Sequence, residues 1–266
     1  MKDIITGFFM AWGNFSWIPC PCKIWDEKSR KWMLALMQMA GFMTGLIQLG
    51  FFLIIKYLSE YHDYTTPTFL EAGILTVMPF LLTGFIHLDG YMDCCDAIMS
   101  RRPLEDRKRI LKDSRVGAFA VVMSICLFLL YFVSMLEIVL SISNCAKMVS
   151  VAMIPVVARF FASNDVLRLK PMETSQYKNV YGDNGNTKYQ RVCIGVGFTI
   201  VIMYIAISYI AFAETKYVFI GVIATAIGQV CARSIAVKNL GGINGDIAGY
   251  SIVWGELVGV MSMAIV

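Results

Sequence analysis

Long apolar runs alternate with short charged ones along the whole chain. Trp32–Ile55 is 24 residues without a formal charge, Val116–Leu136 is 21 and Val192–Ala213 is 22. Each meets the ~20 residues a helix needs to cross a bilayer core of ~30 Å. Ala72–Leu88 (17 residues) and Tyr217–Ala232 (16 residues) reach that length with a few flanking residues. Met148–Ala158 must extend to about Ala146–Ala162, which puts Arg159 just inside a membrane end, and Ala248–Val266 spans only with Glu256 in its middle. The pattern predicts an all-α, polytopic membrane bundle forming one domain, 1–266, with seven spans. They fall near 32–58, 69–88, 116–137, 146–162, 192–213, 217–234 and 248–266, with loops 89–115, 159–191 and 233–247 on one side. Ile4–Ile18 is apolar too, but Gly7, Gly13, Asn14 and Ser16 interrupt it and it is too short to span. No small-x-small cleavage site follows, so it reads as an interfacial helix or a re-entrant piece, with Trp12, Trp17, Trp25 and Trp32 at headgroup level.

Composition sharpens this class. Hydrophobic residues make up 58% and charged residues 16% of the 266, against ~45–50% and ~25% in soluble domains. Mean hydropathy is +0.65. A soluble enzyme, a disordered chain and a disulfide scaffold are excluded. The cations report orientation. With the N-terminus in the cytoplasm, segments 1–31, 89–115, 159–191 and 233–247 carry 20 of the 23 Lys and Arg. Lys56, Lys147 and Lys216 alone fall at outer ends. The expected location is the inner, or plasma, membrane of a prokaryote, with any chemistry facing the cytoplasm. The run Arg101–Lys112 reads as topology and headgroup contact, and nothing points to a nucleic-acid partner.

Cysteine and histidine limit the metal chemistry. Four of the eight cysteines sit in apolar spans as small hydrophobes. Cys20-Pro-Cys22 and Cys94-Cys95 fall on the reducing side, and their spacings do not match a zinc loop. His62 and His87 are the chain's two histidines, too few for a histidine-rich site. No internal repeat or low-complexity tract stands out.

The specific signal is acidic. In Gly84-Phe-Ile-His-Leu-Asp-Gly-Tyr-Met-Asp-Cys-Cys-Asp96 the carboxylates Asp89, Asp93 and Asp96 are spaced i, i+4, i+7. On a helix they stack within about 60° of arc. Like charges so placed resist joint ionisation, and near a bilayer core each costs about 2.5–3.5 kcal/mol. A divalent cation offsets that, and all-oxygen ligands suit Mg²⁺, with Mn²⁺ or Ca²⁺ as substitutes. Asp113-Ser-Arg-Val-Gly-Ala-Phe119 follows, adding Asp113 and Arg115 as an acid and a phosphate-clamping cation. A third block, Gly241-Gly-Ile-Asn-Gly-Asp246, then Gly249 and Glu256, combines a glycine-rich turn with a further acid. Backbone N–H groups at Gly241 and Gly242 could approach an anion, and Asp246 could complete the metal site. Glu256, mid-span, needs a partner, for which Arg159 is a candidate.

These three blocks, in this order and spacing, resemble the cobalamin synthase (adenosylcobinamide-GDP ribazoletransferase) family. Ile18-Pro19 and Arg159 also resemble family positions, so the likeness covers nearly the whole chain. Asn244 stands where the family often has Thr, and Leu169–Lys188 matches poorly. The resemblance implies that adenosylcobinamide-GDP and α-ribazole, or its 5′-phosphate, are joined to give adenosylcobalamin, or its 5′-phosphate, with release of GMP. It implies Mg²⁺ held by Asp89, Asp93, Asp96 and Asp246. Asp96 is favoured as base, with His87, Asp113 and Arg115 in the catalytic set. Ser114, Arg159, Gly241, Gly242, Asn244, Asp246 and Glu256 are implied as substrate contacts. Self-association in the bilayer is compatible with this topology.

Two other classes compete. A CDP-alcohol phosphatidyltransferase also uses spaced acids after Asp-Gly, but requires Ala-Arg two residues on, where this chain has Tyr-Met-Asp. A cation-coupled secondary transporter places ionisable groups near the midplane in matched halves. Here they gather at one face.

Overall fold

The computed structural model describes residues 2–61, 67–141, 144–173, 175 and 187–266. His62 and most of 174–186, including the poorly matching loop, lie outside them. The described residues form eleven α-helices: α1 Lys2–Phe15, α2 Arg30–Ala35, α3 Gln38–Tyr61, α4 Thr68–Leu82, α5 Ile86–Met99, α6 Leu104–Ile110, α7 Ala118–Leu140, α8 Asn144–Arg168, α9 Thr187–Phe212, α10 Lys216–Leu240 and α11 Gly245–Ile265. Six of them, α3 and α7 to α11, are long and apolar enough to cross a membrane. The pair α4–α5 passes the same test only if its two helices, bent by 89°, are taken together as one broken span. The protein is a polytopic helical membrane protein.

Hydrophobicity does not decide which helices lie inside, because lipid is as apolar as a leucine side chain. Small residues decide it. The apolar windows of α8 and α11 are 83% and 72% buried, whereas those of α7 and α9 are 28% buried. Gly41 and Gly45, one turn apart on α3, lie against the Pro155 and Ala152 carbonyls of α8, so closely that a Cβ at either would collide with backbone. On α11, Gly255 meets Thr225 and Gln229 of α10, and Gly259 meets Thr225 and Ile154. This is the small-x-x-x-small contact that lets helix backbones touch in lipid. The outward faces of α7 and α9 carry Val122, Ile125, Leu129, Phe198, Ile202 and Ile210.

Four expectations are corrected. The first span is not continuous: a turn at Leu36–Met37 separates α2 from α3. Trp32–Leu36 are buried within the protein rather than in lipid, with Gly7 of α1 against the Trp32 backbone. No proline or glycine marks that break. The second span ends at Leu82, and α5 turns away from α4 by 89°. Gly84 (φ 59°) and Phe85 (φ 62°) make the bend. Phe85 there costs about 1–2 kcal/mol. The N-terminal segment helps hold it, since Trp17 N–H donates to the freed Leu82 carbonyl at 2.7 Å and its side chain covers Gly84. The fourth span runs on to Arg168, so Arg159 is an interior helical residue, 1% exposed, and not part of a loop. Segments 89–115 and 233–247 are mostly helix: they hold most of α5, all of α6 and the end of α10.

The packing argument separates two glycines of α3. Gly45→Leu should lower the unfolding midpoint of the detergent-solubilised protein, at about 1–3 kcal/mol or more for overpacking. Gly50→Leu, where a Cβ meets nothing within 4 Å, should leave it unchanged.

Candidate active site

The acids are assembled by two helices that touch. The bend at Gly84–Phe85 starts α5 afresh, so α5 lies beside the spans rather than continuing one. Asp89 falls in its first turn. Gly90 then faces α11, where a Cβ would sit 2.7 Å from Asp246 Cα. Gly249 makes the reciprocal contact, with its Cβ position 3.0 Å from the His87 carbonyl oxygen. The two motif glycines therefore set the α5–α11 crossing. Their effect is to carry Asp246 onto the Asp89–Asp93 face.

Asp89, Asp93, Asp96 and Asp246 line one cavity of about 340 Å³, together with Asp113, Ser114 and Lys112. A larger cavity of about 670 Å³ lies between α1 and residues 16–25. It is lined by Phe9, Trp17, Cys20 and Lys23 and holds no acid, so the smaller cavity alone of the two collects the motif carboxylates. Burial pushes the Asp93 carboxyl up to about 7, helped by repulsion from Asp89, Asp246 and Asp96.

Asp96 has a second task. Its Oδ2 accepts the Gly117 N–H at 2.7 Å and its Oδ1 accepts the Ala120 N–H at 2.9 Å. It caps α7 from another helix, taking the place of a local N-cap side chain. A Cβ at Gly117 would sit 2.5 Å from Asp96 Oδ1. The glycine of the second block is thus the space that this carboxylate fills.

The third block is also more structural than expected. Asn244 caps α11, with Oδ1 accepting the Ile247 N–H at 2.9 Å and Nδ2 donating to Asp246 Oδ2 at 2.6 Å. It orients Asp246. Gly241 ends α10 in a left-handed conformation (φ 86°). Gly242 admits the Pro171–Met172 backbone, which a Cβ would meet at 2.7 Å. Ile243 N–H donates to Lys170 O and Met172 N–H to Ile243 O, both at 3.0 Å. The glycines serve chain crossing, and the acid cavity is not lined by either.

Other expected residues are placed differently. Arg115 folds back on Asp113 through a two-point ion pair of 3.0 and 2.6 Å and does not line the cavity. Its guanidinium holds the Asp113 carboxyl down at about 2. Arg159 and Glu256 do pair, at 2.6 Å, with Arg159 also donating to Pro155 O at 2.9 Å. Their side chains are 1% and 3% exposed, sealed between α8 and α11, so neither reaches a substrate in this state. His87 is buried, stacks on Phe15, and its Nε2 has no hydrogen-bond partner. It lines a small inner cavity of about 100 Å³ that shares Asp89 and Asp246 with the acid cavity. All eight cysteines are free, and Cys94 and Cys95 are buried. Lys112 is a wall residue missed when the whole basic run was assigned to topology.

The donor chemistry suits a hard cation. Asp89, Asp93 and Asp246 supply oxygen from two helices to one cavity, and their mutual repulsion is what a cation relieves. Among the described residues no three His, Cys, Asp or Glu side chains are gathered closely enough to hold an ion by themselves. The expected set of four carboxylates around one ion is therefore not assembled, and a Mg²⁺ ion there would need substrate oxygens and water to complete its coordination.

The capping role carries its own test. Asp96→Ala should destabilise the protein by about 1–2 kcal/mol, and Asp96→Asn, which keeps one acceptor, by less. Denaturant unfolding in detergent measures both. Equal stability of all three proteins would remove the cap from the account.

Comparison with known proteins points to one family. The family model described as cobalamin-5-phosphate synthase matches residues 7–264. The adenosylcobinamide-GDP ribazoletransferase of Clostridium botulinum (strain Alaska E43 / Type E3) is 32% identical over 269 residues, covering 98% of both chains. The protein of that name from Clostridium perfringens (strain ATCC 13124) is 29% identical over 268 residues, covering 100% of both. No solved structure matches. The three sequence blocks, the helical membrane architecture and these matches agree: the chain belongs to the cobalamin-5-phosphate synthase family.

Proposed function

We propose that this protein is a membrane phosphotransferase that joins adenosylcobinamide-GDP to α-ribazole or its 5′-phosphate, releasing GMP. One observation carries the reading. Four aspartates from α5 and α11, the residues of the family-like blocks, line a single cavity. The charge distribution supports a cytoplasmic opening, where soluble substrates arrive.

In this reading the acceptor hydroxyl attacks the phosphorus nearer the corrinoid. A new P–O bond forms as the P–O bond to GMP breaks. Asp89 and Asp246 would hold Mg²⁺, and Asn244 fixes the Asp246 carboxylate through Nδ2. When bound, the ion neutralises charge on the diphosphate oxygens. Asp93 takes the hydroxyl proton. A general base works best with a pKa near the working pH, and Asp93 is raised to about 7, chiefly by burial and then by repulsion from Asp89, Asp246 and Asp96. The base role moves here from Asp96, whose two oxygens are occupied by backbone N–H groups. Lys112 and Ser114 at the cavity wall approach the phosphates, while Arg115 must first leave Asp113 to do so.

The transporter reading requires a gradient, and the enzyme reading does not. Purified protein in detergent, given both substrates and Mg²⁺, should release GMP and form corrinoid product, and EDTA should abolish it. The rate should rise with pH through about 7, as Asp93 loses its proton. Asp93→Asn should lower kcat by about 10²–10⁴ at saturating Mg²⁺. Asp89→Asn and Asp246→Asn should instead raise the Mg²⁺ concentration needed for half-maximal rate. No product from folded wild-type protein would contradict the reaction. A normal rate in Asp93→Asn would contradict the base assignment.

A further inference from the structure

The inner cavity of about 100 Å³ backs onto the acid cavity and has no part in the mechanism so far. Phe15, Leu34, Met37, Val166 and Ile252 give it an apolar wall, drawn from α1, α2, α8, α11 and the turn after α2. Asp89 and Asp246 are the residues that line both cavities, so these two form the partition. His87 lines the inner one, is 6% exposed and stacks on Phe15 with ring centres 6.2 Å apart. Its Nε2 has no hydrogen-bond partner among the described residues.

The acids differ in how they are held. Asp96 accepts two backbone N–H groups, and Asp246 accepts Asn244 Nδ2 at one oxygen. Among the described residues no group donates to the Asp89 carboxylate. A buried polar atom such as His87 Nε2 is costly unless it finds a partner. Water enters a buried cavity that offers it roughly two to four polar partners and about 30 Å³ per molecule. His87, Asp89 and Asp246 supply the partners here, and the volume admits about three waters.

We propose that His87 positions the carboxylates of Asp89 and Asp246 through ordered water in this cavity. Nε2–H donates to a water, and that water donates to both carboxylates. This rests on the reading above, in which the same two residues hold the ion. Each carboxylate has two oxygens, so one can face the acid cavity while the other accepts from the inner side. Groups that hydrogen-bond to metal ligands orient them, and losing such a group costs about 10–100-fold in metal affinity. His87 touches neither substrate nor ion. It is a positioning residue, acting from behind the acids.

Two readouts on the full-length protein in detergent test this, and neither needs turnover. The first is magnetic resonance of nitrogen-labelled histidine, without metal. His62→Asn leaves His87 as the chain's one histidine. Its Nε2 should carry a proton, and that proton should show cross-relaxation with long-lived water. A bare Nε2, or no water contact, would overturn the proposal. The second is Mn²⁺ affinity by electron paramagnetic resonance. His87→Phe keeps a ring against Phe15 and removes the donor. It should weaken Mn²⁺ binding about 10–100-fold without lowering the unfolding midpoint. His87→Gln, which keeps an N–H donor, should bind Mn²⁺ more tightly than His87→Phe. Unchanged affinity in His87→Phe would overturn the proposal, as would equal losses in both variants with lowered midpoints, the mark of a packing role. Strong nitrogen coupling to Mn²⁺ that vanishes in His87→Phe would make His87 a direct ligand and also overturn it. If Nε2–H contacts water yet wild type binds no Mn²⁺, the water link stands and the metal reading fails.

Discussion

The α5 and α11 backbones must touch, and the acid site depends on that contact. Asp89 and Asp93 ride on one helix and Asp246 on the other. They share a cavity because Gly90 and Gly249 carry no side chain at the crossing. In lipid no hydrophobic force presses two helices together, so contact distance is set by packing and polar pairs. The surrounding bundle supplies both. Gly255 and Gly259 seat α11 on α10 and α8, and the buried Arg159–Glu256 pair ties α11 to α8. Removing one partner of such a pair leaves an uncompensated buried charge and costs about 3–5 kcal/mol. That pair acts on the site through the position of α11, not by contact with substrate.

Gathering carboxylates has an electrostatic cost, and the fold offsets part of it with helix ends. The bend at Phe85 creates a new N-terminus for α5, with Asp89 in its first turn. Asp96 receives the first N–H groups of α7. Asp246 lies in the first turn of α11. Three helix N-termini, each with a partial positive charge, thus meet the acid cluster. The strained turn and the interrupted second span are what allow this, because an unbroken helix through residues 82–89 would offer no N-terminus there.

Much of this was legible in the sequence because charges are scarce in it. Charge-free runs located the spans, and the i, i+4, i+7 spacing put Asp89, Asp93 and Asp96 on one helix face. The Arg159–Glu256 pair followed from the need of each for a partner. What escaped was tertiary. The turn at Leu36–Met37 has no local breaker, and its cause is burial of α2 under α1. Phe85 adopts a left-handed conformation that its residue type does not advertise. Asp96 looks like its two neighbours in sequence, and only the nearness of Gly117 makes it a cap. Gly241 and Gly242 suggested a phosphate cradle, since a glycine admits a ligand and a crossing chain equally well.

The most direct measurement is Mn²⁺ binding followed by electron paramagnetic resonance, on wild type and on Gly90→Ala of matched monodispersity. An added methyl at residue 90 presses on the Asp246 backbone without touching any carboxylate. The account predicts a bound-Mn²⁺ signal in wild type and affinity weakened at least tenfold in Gly90→Ala. Undiminished Mn²⁺ affinity in Gly90→Ala would mean that the glycine crossing does not hold the acids together.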